Sequence, residues 1–327
     1  VYSASFSNGS RYLLLSYNGP DVPYQNLIDL HTMKVDSFET NEKLKGVLEK
    51  YIVPKVIYGE LNLGDGVKAN YKQTFPLNFN PSHKYPLLFF VYGGPGSQLV
   101  VKTFGQPFSS VIASELDAVV VTVDGRGTGF KGKQFRNVVK NNLSHYEVID
   151  QIAAGNIFIS KPYIDPERTA IWGWSYGGFM TLKTLEKDQG NVFKYGMAVA
   201  PVTNWMFYDS IYTERYMNTP QNNPNYKNGS VHDVEGFKSV KRFLLMHGTG
   251  DDNVNLKNTI RVANSCNYSL PYRYIFLYFF FFTWHVLLLF TSYKLLVNIY
   301  VGFLIGRSID EFKLTECSPK GTTENPG

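Results

Sequence analysis

Residues 171–178, Ile-Trp-Gly-Trp-Ser-Tyr-Gly-Gly, constrain this chain more than any other stretch. An apolar run (Ala170, Ile171, Trp172) enters the segment and suits a buried strand. Helix-forming residues leave it at 179–187. Between them lies G-x-S-x-G, with Gly173 and Gly177 two residues either side of Ser175. A strand that reverses sharply into a helix forces its central residue into strained backbone geometry, which small neighbours at ±2 accommodate. Such a turn presents the serine oxygen at the carboxyl edge of a sheet and aims the Tyr176 amide at a developing oxyanion. The alternative is a glycine-rich turn with an incidental serine. The strand before and the helix after favour a nucleophile elbow.

The pattern around the elbow gives the architecture. Over residues 1–50, short β segments at 1–6, 11–16 and 24–29 are separated by Asn-Gly, Gly-Pro and Asp-Val-Pro turns. This spacing fits antiparallel strands such as the end of a β-propeller, a blade that cannot close alone. His31 there reads as a solvated loop residue. From residue 55 the pattern changes. Strands are expected at 71–77 and 85–91, the second ending in Tyr92-Gly93-Gly94-Pro95-Gly96-Ser97, where glycines let backbone amides approach a ligand. Another strand is expected at 118–123, a helix at 146–157, then the elbow strand and strands at 195–199 and 242–246. Strands alternating with helices predict an α/β fold, a mostly parallel sheet covered on both faces.

One motif misleads. Residues 127–132 match G-x-G-x-x-G and Glu147 follows about 20 residues on, as a dinucleotide site requires. However, Asp124, Gly125 and Arg126 separate the strand from the first glycine, and Lys133 and Gln134 follow Gly132 where a small-residue helix start is needed. No nucleotide cofactor is therefore expected.

A second chemical group, His247-Gly248-Thr249-Gly250-Asp251-Asp252-Asn253-Val254, follows a strand. Its acids thus fall at a strand's carboxyl end, where open α/β sheets place functional residues. An acid downstream of the elbow serine also fits the chain order serine, acid, histidine. The plainer reading is a polar loop capping a helix that begins near Val254; the elbow favours a triad acid.

The net charge of +5 is scattered, with no Lys/Arg block interleaved with aromatics, so a nucleic-acid groove is excluded. Cys266 and Cys317 are the only cysteines and form no C-x-x-C, so neither a zinc site nor a disulfide framework is expected. Sequons at Asn8, Asn142, Asn228 and Asn267 are compatible with a secretory lumen. The chain opens at Val1 on a strand-like alternation without a signal peptide, and is expected to be a fragment of a longer protein.

With these groups placed, residues 1–265 resemble the carboxyl-terminal part of the dipeptidyl peptidase IV group of the prolyl oligopeptidase family, its fungal dipeptidyl aminopeptidases above all. The matching stretches are 91–98 (VYGGPGSQ), 123–130 (VDGRGTGF), 170–180 (AIWGWSYGGFM), 198–202 (AVAPV), 208–217 (YDSIYTERYM) and 247–254 (HGTGDDNV). The resemblance implies an α/β-hydrolase domain over 51–265 behind a propeller remnant at 1–50. It implies a serine peptidase releasing X-Pro or X-Ala dipeptides from peptide amino termini through an acyl-enzyme. Ser175 would be the nucleophile and Asp251 the acid that orients the base. Tyr92 would lend its hydroxyl to the oxyanion hole beside the Tyr176 amide. Val202, Trp205, Tyr208, Tyr212, Asn253 and Val254 would line the pocket for a penultimate proline or alanine, with Arg215 and Asn253 near the substrate carbonyl. A flat proline ring suits aromatic walls, and a small pocket excludes bulky side chains. No metal or cofactor is implied. A secretory-pathway membrane (vacuolar, Golgi or cell-surface), with the active domain on the lumenal or extracellular side, and pairing into homodimers are implied as well.

The resemblance breaks at the base. A triad needs a histidine, because serine is a poor nucleophile at neutral pH. Family members carry it in an Asp-x-Asp-His loop, about thirty residues after the acid, ahead of a closing helix. Here residues 266–327 do not match. His285 falls near that distance without an acidic pair before it, and is read as coincidental. His247 corresponds to a structural residue, and His83, His145 and His232 read as solvated. Residues 274–293 carry no formal charge and are long enough to span a bilayer, and 295–306 continues the apolar run. The tail is either a membrane segment or a stretch translated from an intron or shifted frame. Its enrichment in Phe, Tyr, Leu, Ile, Lys and Asn, residues with A/T-rich codons, favours the second. Two other functions stay open: a non-catalytic, membrane-associated family member acting as a binding subunit, and an esterase on the same fold.

Overall fold

The computed structural model describes residues 1–105, 107–269 and 274–279. The chain divides into two compact units, 1–283 and 284–327, the second outside the described residues.

The amino-terminal strands β1 (Tyr2–Phe6), β2 (Tyr12–Tyr17), β3 (Tyr24–Asp29) and β4 (Lys34–Glu39) form an antiparallel meander in chain order. Tyr2, Tyr17 and Tyr24 lie ring against ring across it, with centroids 5.1 and 5.0 Å apart. Every residue of β1 and β4 is exposed, so this sheet has no core of its own. The turn signals marked the first three strands. β4, Lys-Val-Asp-Ser-Phe-Glu, was hidden by its charged alternation.

After helix α1 (Glu42–Leu48) the chain builds a second sheet from β5 (Val56–Asn62), β6 (Lys68–Thr74), β7 (Tyr85–Phe90), β8 (Val119–Asp124), β9 (Ile164–Trp174), β10 (Tyr195–Val199), β11 (Arg242–Gly248) and β12 (Tyr274–Phe279). Among the described residues its order is β12-β11-β10-β9-β7-β8-β6-β5. β5 and β6 are antiparallel to their neighbours, and the strands from β8 to β12 run parallel. The crossovers carry α2 (Phe108–Glu115), α3 (Lys133–Asn137), α4 (His145–Ile159), α5 (Tyr176–Asp188), α6 (Ser210–Met217) and α7 (Lys257–Ser269). Helices packed against the parallel strands exclude water from them, and β8 is accordingly buried at every residue.

β12 changes the reading of the tail. Its residues pair in parallel register with β11, from Phe243 opposite Tyr274 to Gly248 opposite Phe279. Residues 274–279 therefore form a strand, at the edge of the sheet among the described residues, and not the start of a membrane-spanning helix. A short apolar run rich in aromatics reads equally as buried strand or buried helix, so periodicity alone could not separate them. Among the described residues no helix is long and apolar enough to cross a membrane. The rest of the 274–293 span, the 295–306 run, His285 and Cys317 lie outside the described residues.

Candidate active site

Four consecutive parallel strands bring the predicted residues to one rim. In the order β7-β9-β10-β11, their carboxyl ends lead into Tyr92, Ser175, Val202 and Asp251. The ladder runs past the strand ends: Val91 N–H donates to Trp172 O at 2.9 Å, Ser175 N–H to Val199 O at 2.9 Å, and Ala200 N–H to Met246 O at 2.7 Å. The turns are thus registered against one another by backbone bonds.

Ser175 has φ 55° and ψ −118°, a conformation that costs an L residue about 1–3 kcal/mol and persists only where the surroundings impose it. The surroundings here are backbone. A Cβ on Gly173 would meet Val91 O at 2.3 Å, and one on Gly177 would meet the same oxygen at 2.2 Å. Only glycine fits at either position, so the G-x-S-x-G spacing follows from the β7–β9–α5 packing. Ser175 precedes the first turn of α5, where unpaired N–H groups and the helix dipole favour negative charge. The Ser175 side chain lies beside the Tyr92 phenol. Burial raises the Tyr92 phenol above its ordinary value, which keeps it a neutral donor at physiological pH.

The two glycine-rich loops lock together. Gly96 N–H donates to Gly127 O and Gly129 N–H to Ser97 O, both at 2.8 Å. Asp124 accepts from Leu99 N–H and from Val100 N–H at 2.8 Å. Arg126 closes on buried Asp150 through its guanidinium at 2.6 Å and its own N–H at 2.7 Å. Gly127 and Gly129 therefore serve loop packing.

Trp205, Tyr208 and Tyr212 meet as one aromatic cluster. Trp205 stacks on Tyr212 at 5.8 Å and 18°, and Tyr208 stands edge-on to both at 6.0 and 5.5 Å. Tyr176 joins this cluster to Tyr92, 5.6 Å from Trp205 and 6.2 Å from Tyr92. The roles divide by exposure. Val202, Val254, Trp205 and Tyr176 are core residues at 1–2% exposure, so they back the wall. Tyr92, Tyr208 and Tyr212 are half-buried and form its open surface. Tyr208 donates to Asn253 Oδ1 at 3.0 Å and feels the charge of Asp251. Arg215 is exposed on α6, and among the described residues no hydrogen bond or ion pair joins it to the cluster. The larger cavities lie elsewhere: 640 Å³ beside Tyr58, Lys72 and Lys102, and 520 Å³ beside Lys183, Glu186 and His232.

Asp251 Oδ1 accepts from Asn253 N–H at 3.1 Å and Val254 N–H at 2.9 Å, so the acid shapes its own loop. His247 is fully buried. Its Nδ1 meets Thr259 Oγ1 and its Nε2 meets Val254 O, each at 2.7 Å, with Asp251 Oδ2 3.6 Å away. Both nitrogens are engaged, which leaves His247 a structural residue. Among the described residues no histidine is hydrogen-bonded to Ser175.

Two residues of this site carried no sequence signal for their roles. Buried Asn258 accepts from Thr203 N–H at 3.0 Å and ties the turn after β10 to α7. Buried Glu147 accepts the Tyr176 phenol at 2.9 Å. Nothing in the spacing of either residue marks a partner so distant in sequence.

Comparison with known proteins follows the same lines. Residues 105–279 match the prolyl oligopeptidase family, so the likeness continues past residue 265 and takes in β12. Dipeptidyl aminopeptidase B of Saccharomyces cerevisiae is 50% identical over 282 residues, covering 80% of this chain and 34% of that protein. A probable dipeptidyl-aminopeptidase B of Botryotinia fuckeliana is 53% identical over 267 residues, covering 80% and 29%. The crystal structure of Porphyromonas gingivalis dipeptidyl peptidase 4 superimposes with a TM-score of 0.84 at 31% identity, over 93% of this chain and 43% of that one. The chain spans about a third of the length of the curated relatives it matches. An elbow serine held by backbone, a phenol beside it and a family match over more than half the chain lead to one assignment: this chain belongs to the prolyl oligopeptidase family.

Proposed function

We propose that this chain carries the catalytic module of a serine dipeptidyl peptidase that releases X-Pro and X-Ala dipeptides from peptide amino termini. The observation that carries the reading is the strained elbow of Ser175, with Tyr92 beside it, next to the Tyr208–Tyr212 surface. Ser175 Oγ adds to the scissile carbonyl carbon, and the carbonyl electron pair moves to oxygen, where the Tyr176 N–H and the Tyr92 O–H receive it. Collapse expels the amine with a proton, and water then releases the acyl group. Proline or alanine before the scissile bond rests against the half-buried tyrosines. The histidine that would move the protons is not among the described residues.

The names of the relatives support the substrate class, and the four-stranded meander is read as the last blade of a propeller. The sequons support a secretory-pathway location with this module on the lumenal side. Hydrolysis of alanyl-prolyl and alanyl-alanyl anilides, set against a short acyl ester, tests the reading. The dipeptide anilides are cleaved ahead of the ester, and Ser175→Ala abolishes this. Preference for the ester overturns it.

One observation favours a second reading. With His247 engaged at both nitrogens, the chain has the wall and nucleophile of a peptidase without a described base, as a non-catalytic binding member would. Binding of a prolyl ligand without turnover identifies that case.

A further inference from the structure

Glu147 enters the sequence reading only as the acid of a rejected nucleotide motif, yet the fold sets it against the nucleophile turn. It lies in the first turn of α4 at 2% exposure. Its Oε1 accepts from Ser144 N–H at 3.1 Å, which caps the helix, and from the Tyr176 phenol at 2.9 Å. Tyr176 supplies the oxyanion amide through its backbone. Its ring, also buried, lies between Tyr92 and Trp205. One side chain thus links the start of α4 to the residue after the nucleophile and to the aromatic wall.

We propose that Glu147 is a positioning residue: by holding the Tyr176 phenol it fixes the ring on which the acyl-pocket wall is built, a role that rests on the peptidase reading of Ser175. Glu147 Oε2 is buried without a hydrogen-bond partner among the described residues. The groups facing it supply no free cation. From its own helix comes Asp150, already closed on Arg126 of the loop after β8. From α5 comes Tyr176 and from α6 Tyr212, while Gly127 and Val139 pack beside it without charge. An unpaired charge in such a place is costly, so burial favours the protonated form. Burial pushes the carboxyl from 4.5 up to about 7. The sign of the linkage follows. The unfolded chain loses this proton at the lower value and the folded chain at the higher. Stability from this group is therefore full below 4.5 and lost as pH rises to about 7.

The test follows the infrared carbonyl band of a protonated carboxyl across neutrality, together with binding of alanyl-pyrrolidide. Wild type shows a band titrating near neutrality, Glu147→Gln lacks it, and Tyr176→Phe shifts its midpoint. Tyr176→Phe and Glu147→Leu each weaken the pyrrolidide about tenfold and the double variant no further, while Glu147→Gln, which keeps the acceptor, stays within about threefold. Where Glu147→Leu does not fold, Tyr176→Phe against Glu147→Gln carries the comparison. Additive losses, unchanged binding in Tyr176→Phe, or a band that Glu147→Gln retains overturns the proposal. A wild-type chain that binds no pyrrolidide contradicts the peptidase reading instead. The Glu147 proposal is then decided by the band alone: a midpoint shifted in Tyr176→Phe supports it, and an unshifted one overturns it.

Discussion

The Tyr92 phenol lies beside the Ser175 side chain, so the turn after β7 and the turn after β9 meet at the proposed nucleophile. The phenol is half-buried and held neutral by burial, and can therefore follow charge as it develops on a substrate oxygen. Tyr92→Phe keeps the ring and its packing while removing the donor. Turnover is expected to fall about 10²–10³-fold with little change in KM, the pattern of an interaction made only in the transition state. Steady-state kinetics on alanyl-prolyl anilide checks this, and a rise in KM alone contradicts it.

The elbow depends on two missing side chains. Gly177→Ala places a Cβ 2.2 Å from Val91 O, and neither strand nor helix can yield without breaking the ladder. A loss of about 2–4 kcal/mol in urea unfolding, or no folded protein, is expected. Gly250 meets nothing within 4 Å, and Gly250→Ala in the same assay is expected to stay within about 0.5 kcal/mol.

Tyr212 stacks on Trp205 yet remains half-buried. Tyr212→Ala is expected to raise KM for alanyl-prolyl anilide about 10- to 100-fold with a smaller effect on kcat, since a flat ring loses its stacking surface. Trp205→Ala acts differently. At 1% exposure its indole is core, and its loss is expected to cost about 3–5 kcal/mol of stability before any effect on substrate. Kinetics and unfolding measured side by side separate the two.

Cys266 is fully buried in α7, and burial pushes its thiol up to about 12. The thiolate is the reactive form. Native protein at mildly alkaline pH is expected to leave Cys266 unalkylated by iodoacetamide, and urea-unfolded protein to alkylate it fully. Mass spectrometry of the peptide checks both, and rapid native alkylation contradicts this environment.

Much of this site was legible because it is local. Gly173, Ser175 and Gly177 declare the elbow through spacing that sterics demand, and the alternation of apolar strands with helices gave the parallel core. The rim position of Asp251 follows from short-range pattern in the same way. Other features are long-range. The Glu147–Tyr176 bond joins residues whose partnership depends on α4 packing on α5, and Asn258 reaches back across the sheet to Thr203. Their identities alone carry no mark of the partner. β12 was misread for a different reason. Six apolar residues rich in aromatics satisfy a membrane and a parallel edge strand equally, and only the pairing with β11 separates them.

Ser175, beside the tyrosine wall, is expected to add to an electrophile bound there. Boron NMR of an alanyl-proline boronate bound to the chain tests this most directly, because boron becomes tetrahedral only by taking up a nucleophile. The signal is expected to move from trigonal to tetrahedral on wild-type protein and to stay trigonal on Ser175→Ala. A boronate that stays trigonal on wild type, or becomes tetrahedral on the alanine variant, rules out Ser175 as the nucleophile.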